Sequence, residues 1–198
     1  MKLSDIAWEP SPNFSRGRAG STVDFIVLHI TDGQPDFRRS LERFARKTTE
    51  ASPHFLVGRE GQVAQLVDTD DRAWHARGWN TESVGIEHVA RTPGEFHDRD
   101  EGLPLTATQL RVSAQLVARL CWLLQLKPSR TTIRPHCECP QTTHSDCGLD
   151  VDKGGIWPWA EYMVMVAEEY ATLSPVAEGK RVREGGDRNS GGDGSGNS

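Results

Sequence analysis

Asp24-Phe-Ile-Val-Leu-His-Ile-Thr31 is the stretch whose reading decides the fold. Residues 24–30 are almost continuously apolar with a β-branched bias, the composition of a strand buried on both faces. His29 stands near the end of that run, where a buried strand would hold its imidazole rigidly. Phe37, Leu41, Phe44 and Ala45 then recur at helical spacing, which predicts a helix over 37–49.

The same reading extends along the chain. His54-Phe-Leu-Val-Gly58 and Gln62-Val-Ala-Gln-Leu-Val67 flank Arg59-Glu60-Gly61, and the short glycine-bounded connection predicts a β-hairpin. Ser83-Val-Gly-Ile-Glu-His-Val89 predicts a further strand, whose alternation puts Glu87 on one face and His88 on the other. Between Thr106 and Leu126 the apolar positions Leu110, Ala114, Val117, Cys121 and Leu124 mark one helix face, and Thr106-Ala-Thr-Gln109 has capping-box form. Residues 128–155, heavy in Pro, Thr, Cys and Gly, are too long for a simple connection and are expected to form a functional loop. A last helix is predicted over 157–173, with Pro158 near its first turn, where a missing N–H costs nothing. The expected organisation is an irregular lead-in on the surface over 1–22, one domain over 23–173, and a disordered Gly/Ser-rich tail over 174–198.

A chain of 198 residues with 36% hydrophobic content can bury one substantial core. Its formal net charge of -5 is spread over mixed-sign segments, which argues against nucleic acid as a partner. No stretch reaches the length of a membrane span, and the first ten residues lack the apolar core of a secretory signal. The expectation is synthesis in the cytoplasm without a signal peptide, and no membrane insertion. Of the four cysteines, Cys121, Cys137, Cys139 and Cys147, the last three crowd together, a pattern open to metal binding, a local disulfide or chance.

His29, His136 and Asp146 are donors of the classes that zinc takes, and three protein ligands would leave a fourth position open. Singly, each has an ordinary alternative: a hydrogen-bonded core histidine, a loop residue after Pro135, and a turn former. Spacing alone leaves these readings open.

Several separated strings carry more weight. They are Phe25-Ile-Val-Leu-His-Ile-Thr31, Ser52-Pro-His-Phe-Leu-Val57, Gly61-Gln-Val63, Ala73-Trp-His-Ala76, Gly78-Trp-Asn80 and Ser83-Val-Gly-Ile-Glu87, then His136 and Ser145-Asp-Cys-Gly148. In this order they resemble the zinc-dependent N-acetylmuramoyl-L-alanine amidases, a family that includes T7-type lysozymes, bacterial recycling amidases and peptidoglycan recognition proteins. The resemblance implies an α/β fold: a single domain with a central mixed β-sheet flanked by helices and a zinc site at one edge of the sheet.

The resemblance also implies roles. His29, His136 and Asp146 match the zinc ligands, with Cys147 standing where the family has proline, so that Cys147, and more distantly Cys139 and His144, are alternative third ligands. Glu87 matches the catalytic glutamate, and His144 stands where carboxylate-using members carry a lysine that steadies the oxyanion. His54, His75, Trp79 and Asn80 fall in strings expected near the substrate. A structural zinc held by His136, Cys137, Cys139 and Cys147 is a lesser alternative, and a Cys139–Cys147 disulfide is another. The implied reaction is hydrolysis of the amide between N-acetylmuramic acid and L-alanine, with Zn2+ as cofactor and peptidoglycan or a muropeptide as partner. A monomeric, lytic enzyme of endolysin or autolysin type is expected, reaching the wall after release or delivery. The alternatives are a non-catalytic muropeptide-binding module and a cytosolic recycling amidase.

Overall fold

The computed structural model describes residues 3–32, 36–91, 104–141 and 156–173. In chain order these form β1 (Ala7–Trp8), β2 (Phe14–Ser15), β3 (Phe25–Ile30), α1 (Phe37–Phe44), β4 (Phe55–Val57), β5 (Val63–Gln65), β6 (Arg72–Ala73), β7 (Ser83–His88), α2 (Ala107–Leu123), β8 (Ile133–Pro135) and α3 (Trp159–Thr172). Six strands make one sheet in the order β1-β5-β4-β7-β3-β8, and β2 pairs with β6 separately. Only β4 and β5, the predicted hairpin, run antiparallel in the large sheet; its other neighbours are parallel. The expected α/β architecture with a mixed sheet is therefore observed. Among the described residues no helix is long and apolar enough to cross a membrane.

Strand β3 is covered on both faces, as its composition predicts, with Ile26, Val27 and Leu28 all at 0% exposure. Alternation splits the sheet residues into two sets. Ile26 and Leu28, with Val84, Ile86, Phe55, Val57 and Ile133, join Leu116, Val117 and Leu120 of α2 and Tyr162 and Val166 of α3 in the main core. Phe25 and Val27 face the other way, onto Ala76, Trp79 and Cys139. Phe44 of α1 packs nearby with Leu56, Ala64 and Leu66. Helices thus flank both faces of the sheet.

Helix α1 is shorter than the predicted span of 37–49. It begins at Asp36, whose carboxylate accepts from the Arg39 N–H at 2.8 Å, and ends at Phe44. The residues beyond are drawn off by a partner far away in sequence. Asn13 Nδ2 donates toward the carbonyls of Phe44 (3.2 Å), Arg46 (2.9 Å) and Ala51 (3.2 Å), and the Ser11 hydroxyl donates to the Phe44 carbonyl at 2.6 Å. These bonds satisfy carbonyls that a helix end leaves open and break the α-helix, so that Lys47–Thr49 form a separate 3-10 turn.

The same contacts correct the reading of residues 1–22 as an irregular surface lead-in. Strand β1 lengthens the large sheet by pairing with β5, and Ser11, Asn13 and Arg18 are buried at 3%, 0% and 8% exposure. A segment rich in Pro, Ser, Gly and Arg is here built inward because the donors of Ser11, Asn13 and Arg18 find backbone carbonyls as partners. Helix α2 starts as predicted, with Thr106 Oγ1 accepting from the Gln109 N–H at 3.0 Å. In α3 the first helical residue is Trp159, two positions after the predicted start, and Pro158 is the N-cap beside the first turn. The expected tail over 174–198 lies outside the described residues.

Candidate active site

Three adjacent strands bring the central residues together. In the parallel register of β3 and β7, His29 is opposite Glu87, so both side chains leave the same sheet face. On the other flank of β3, Leu28 is opposite Pro135, which delivers His136 beside His29 as β8 ends. The His29 and His136 rings lie 4.6 Å apart between centroids. The backbone has thus brought residues separated by more than a hundred positions to one point near the β8 edge of the sheet.

The electrostatics follow from enclosure. Burial pushes the His29 pKa well below the usual histidine range, and the neighbouring His136 and His75 push it further in the same direction. His29 is therefore held as the neutral imidazole that a metal requires. Burial pushes the Glu87 carboxyl up to about 8, against the pull of Arg43 and with a contribution from Asp32. Its Oε2 is enclosed without a hydrogen-bond partner among the described residues. A carboxyl in this state is poised to exchange a proton near neutrality.

Two adjoining imidazoles suit zinc in donor type. Among the described residues no group of three His, Cys, Asp or Glu is arranged to hold a metal ion. The expected third ligand Asp146, its alternative Cys147, and His144 lie outside the described residues. Cys139 is buried, and its thiol donates to the Arg77 carbonyl at 3.1 Å within the Phe25–Trp79 cluster. Cys121, buried in the main core, is also a free thiol.

The four residues expected near the substrate divide differently. His54 is at 0% exposure, packed and hydrogen-bonded beside the site and withdrawn from direct contact with a ligand. Its Nδ1 accepts from the Gly85 N–H at 2.9 Å, so its proton sits on Nε2, 3.2 Å from the Asp71 carbonyl. Burial and the Arg18 guanidinium, 3.0 Å from that Nε2, lower its pKa to about 3. Trp79 is likewise withdrawn: it is 9% exposed, meets Phe25 edge-on at 5.0 Å, and carries the Arg134 guanidinium 4.4 Å over its ring. Asn80 accepts at Oδ1 from the N–H groups of His75 (3.0 Å) and Ala76 (2.6 Å), shaping the turn that carries His75. His75 alone of the four reaches the site, its Nδ1 lying 3.0 Å from His29 Nε2.

A second polar chain, not anticipated in the sequence, lies behind the site. A carbonyl only accepts, so the His29 carbonyl takes the proton of His88 Nδ1 at 2.9 Å. His88 Nε2 then accepts from the Ser113 hydroxyl at 2.7 Å, and Ser113 Oγ accepts from the Tyr162 hydroxyl at 2.7 Å. Burial lowers the His88 pKa to about 4, against the opposing effect of its bond to His29, and raises that of Tyr162. This chain clamps the β3 backbone at His29 to α2 and α3. Its sequence signals were His88 on the inward side of the β7 alternation and Ser113 amid the apolar positions of α2. Arg18 was also missed; it donates to the carbonyls of Thr69 (2.7 Å), Thr81 (2.8 Å) and Ser83 (3.0 Å).

Comparison with known proteins bears on the family and the fold. A family model described as N-acetylmuramoyl-L-alanine amidase matches residues 19–149. N-acetylmuramoyl-L-alanine amidase A of Achromobacter lyticus is 27% identical over 122 residues, 61% of this chain and 64% of that protein. The matched region thus spans less than two thirds of that relative's length. The hydrolase AmiA of Staphylococcus aureus, solved in complex with its ligand, superposes with a TM-score of 0.63 at 18% identity, over 86% of this chain and 85% of that one. The amidase AmiD from E. coli, solved with the substrate anhydro-N-acetylmuramic acid-L-Ala-D-γ-Glu-L-Lys, gives a TM-score of 0.57 at 21% identity, over 76% of this chain and 58% of that one. At these identities the two structures speak to the fold, and the family match speaks to descent. The chain belongs to the N-acetylmuramoyl-L-alanine amidase family.

Proposed function

We propose that this protein hydrolyses the amide between N-acetylmuramic acid and L-alanine in peptidoglycan, using zinc held by His29, His136 and Asp146. The observation that carries this reading is the meeting of two neighbouring imidazoles and the enclosed Glu87 carboxyl on one face of the sheet. Family membership supports the bond cleaved, and the muropeptide seated in the E. coli relative supports the substrate class.

Amide hydrolysis at neutral pH needs an electrophilic carbonyl, a nucleophilic water and a protonated leaving amine. Zinc, when bound, supplies Lewis-acid polarisation of both the carbonyl and the attacking water. Glu87 accepts the proton of that water and delivers it to the amine nitrogen as the C–N bond breaks, one residue serving as base and then acid. Its elevated pKa near 8 favours the second transfer, and a cation nearby would favour the first by stabilising the carboxylate. His144 is the group proposed to steady the developing oxyanion.

The test is digestion of purified peptidoglycan with and without a chelator, followed by mass analysis of the fragments. Chelator-sensitive release of stems with a free L-alanine amine is expected. New reducing sugar ends without that amine would sink the assignment, and wall binding without product would make the protein a muropeptide-binding module. The finer proposal, a monomeric lytic enzyme, predicts faster turnover on polymeric wall than on soluble anhydro-muropeptide. The reverse preference would point to recycling.

A further inference from the structure

His75 takes no part in the reaction just described, yet its ring is held on three sides. Its Nε2 lies 3.2 Å from Ser83 Oγ, its Nδ1 lies 3.0 Å from His29 Nε2, and its face rests on Gly85. A Cβ at position 85 would fall 2.4 Å from His75 Cγ and 2.5 Å from Nδ1, closer than atoms can approach. Strand β7 is bare of a side chain where the ring lies, a use of glycine that permits close approach.

The direction of every bond can be assigned from one end. Ser83 has a single hydroxyl proton, and it goes to the Trp79 carbonyl at 2.6 Å. Ser83 Oγ therefore meets His75 as an acceptor, and His75 carries its proton on Nε2. A neutral imidazole protonated there has a bare Nδ1. Facing it at 3.0 Å, His29 Nε2 completes the bond only by donating, which leaves the lone pair of His29 on Nδ1.

We propose that His75 is a positioning residue that fixes the tautomer of His29, through the directed chain His29 Nε2–H to His75 Nδ1, His75 Nε2–H to Ser83 Oγ, and Ser83 O–H to the Trp79 carbonyl. His29 thereby presents Nδ1 to the metal, with its ring orientation set by its partner on the far nitrogen. This inference rests on the zinc reading above and replaces substrate contact as the role of His75. Partners of this kind on ligating histidines change metal affinity by about 10–100-fold when removed.

The experiment has two readouts. Long-range proton–nitrogen NMR of the metal-free, histidine-labelled protein is expected to show both His29 and His75 protonated on Nε2. Zinc affinity, measured by competition with a chelator, is expected to fall about 10–100-fold in His75→Phe. His75→Asn places an amide oxygen near the position of Nδ1 and should restore most of that loss, with circular dichroism confirming that each variant is folded. His29 protonated on Nδ1 in the parent overturns the proposal regardless of how the variants fold, as does equal zinc affinity in parent and His75→Phe. A parent that shows the Nε2 tautomers but binds no zinc supports the tautomer control by His75 and refutes the zinc amidase reading instead.

Discussion

Replacing His88 with asparagine should make the fold less sensitive to acid, by an amount that the structure sets. His88 is fully buried between the His29 carbonyl and Ser113, and its pKa drops to about 4 in the fold against about 6.5 in an unfolded chain. Between those values the unfolded chain binds a proton that the folded chain excludes. The stability contributed by excluding it is complete above pH 6.5 and is lost as pH falls toward 4. At about 1.4 kcal/mol per unit, lowering the pH from 7 to 4.5 removes about 3 kcal/mol through this one residue. That is a large share of the roughly 5–15 kcal/mol that holds a domain together. In His88→Asn the amide nitrogen can still donate to the His29 carbonyl, but nothing titrates. Urea unfolding followed by tryptophan fluorescence at pH 7 and pH 4.5, on both proteins without metal, isolates the effect because all other titrating groups are shared. The parent should lose about 3 kcal/mol more than the variant over that interval. Equal losses would mean that His88 is not kept neutral by burial, and the argument for the clamp behind His29 would fail.

Other outcomes follow from the same contacts. Ser113→Ala leaves His88 Nε2 and the Tyr162 hydroxyl without their shared partner and should destabilise the protein by about 2–4 kcal/mol, read as a drop in Tm. Glu87→Gln should keep the fold and zinc affinity while lowering turnover about 10²–10⁴-fold in a peptidoglycan digestion assay; undiminished turnover would remove Glu87 from the mechanism. In the metal-free state the same variant should gain on the parent as pH rises from 4.5 through 8. The parent must either retain or give up the Glu87 proton in that range, and differential urea midpoints would show it. Asn13→Ala strips the donor shared by the Phe44, Arg46 and Ala51 carbonyls and should cost about 2 kcal/mol or more, with amide exchange quickening at the end of α1.

What could be read in the sequence and what could not divide along a physical line. Strand β3, the β4–β5 hairpin and the faces of β7 and α2 were legible because apolar periodicity reports which side of an element is covered. The pairing of His29, Glu87 and His136 was legible only through resemblance, since parallel strand order is set by packing between distant segments. The early end of α1 was hidden because Asn13 competes for its carbonyls from outside any local window. The burial of Trp79 was only half legible for a related reason: a ring in a loop string looks equally suited to a groove or to a core. Gly85 in mid-strand did carry a signal of close approach, and the ring that fills the space is His75.

The pairing of β1 with β5 bears on where this domain can be cut. Composition suggests a clean start at residue 23, but a chain begun there would lose β1 and turn β5 from an interior strand into an edge. Its unpaired N–H and C=O groups would then offer a template for strand addition by other molecules. A shortened protein of that kind should self-associate at concentrations where the longer chain stays dispersed.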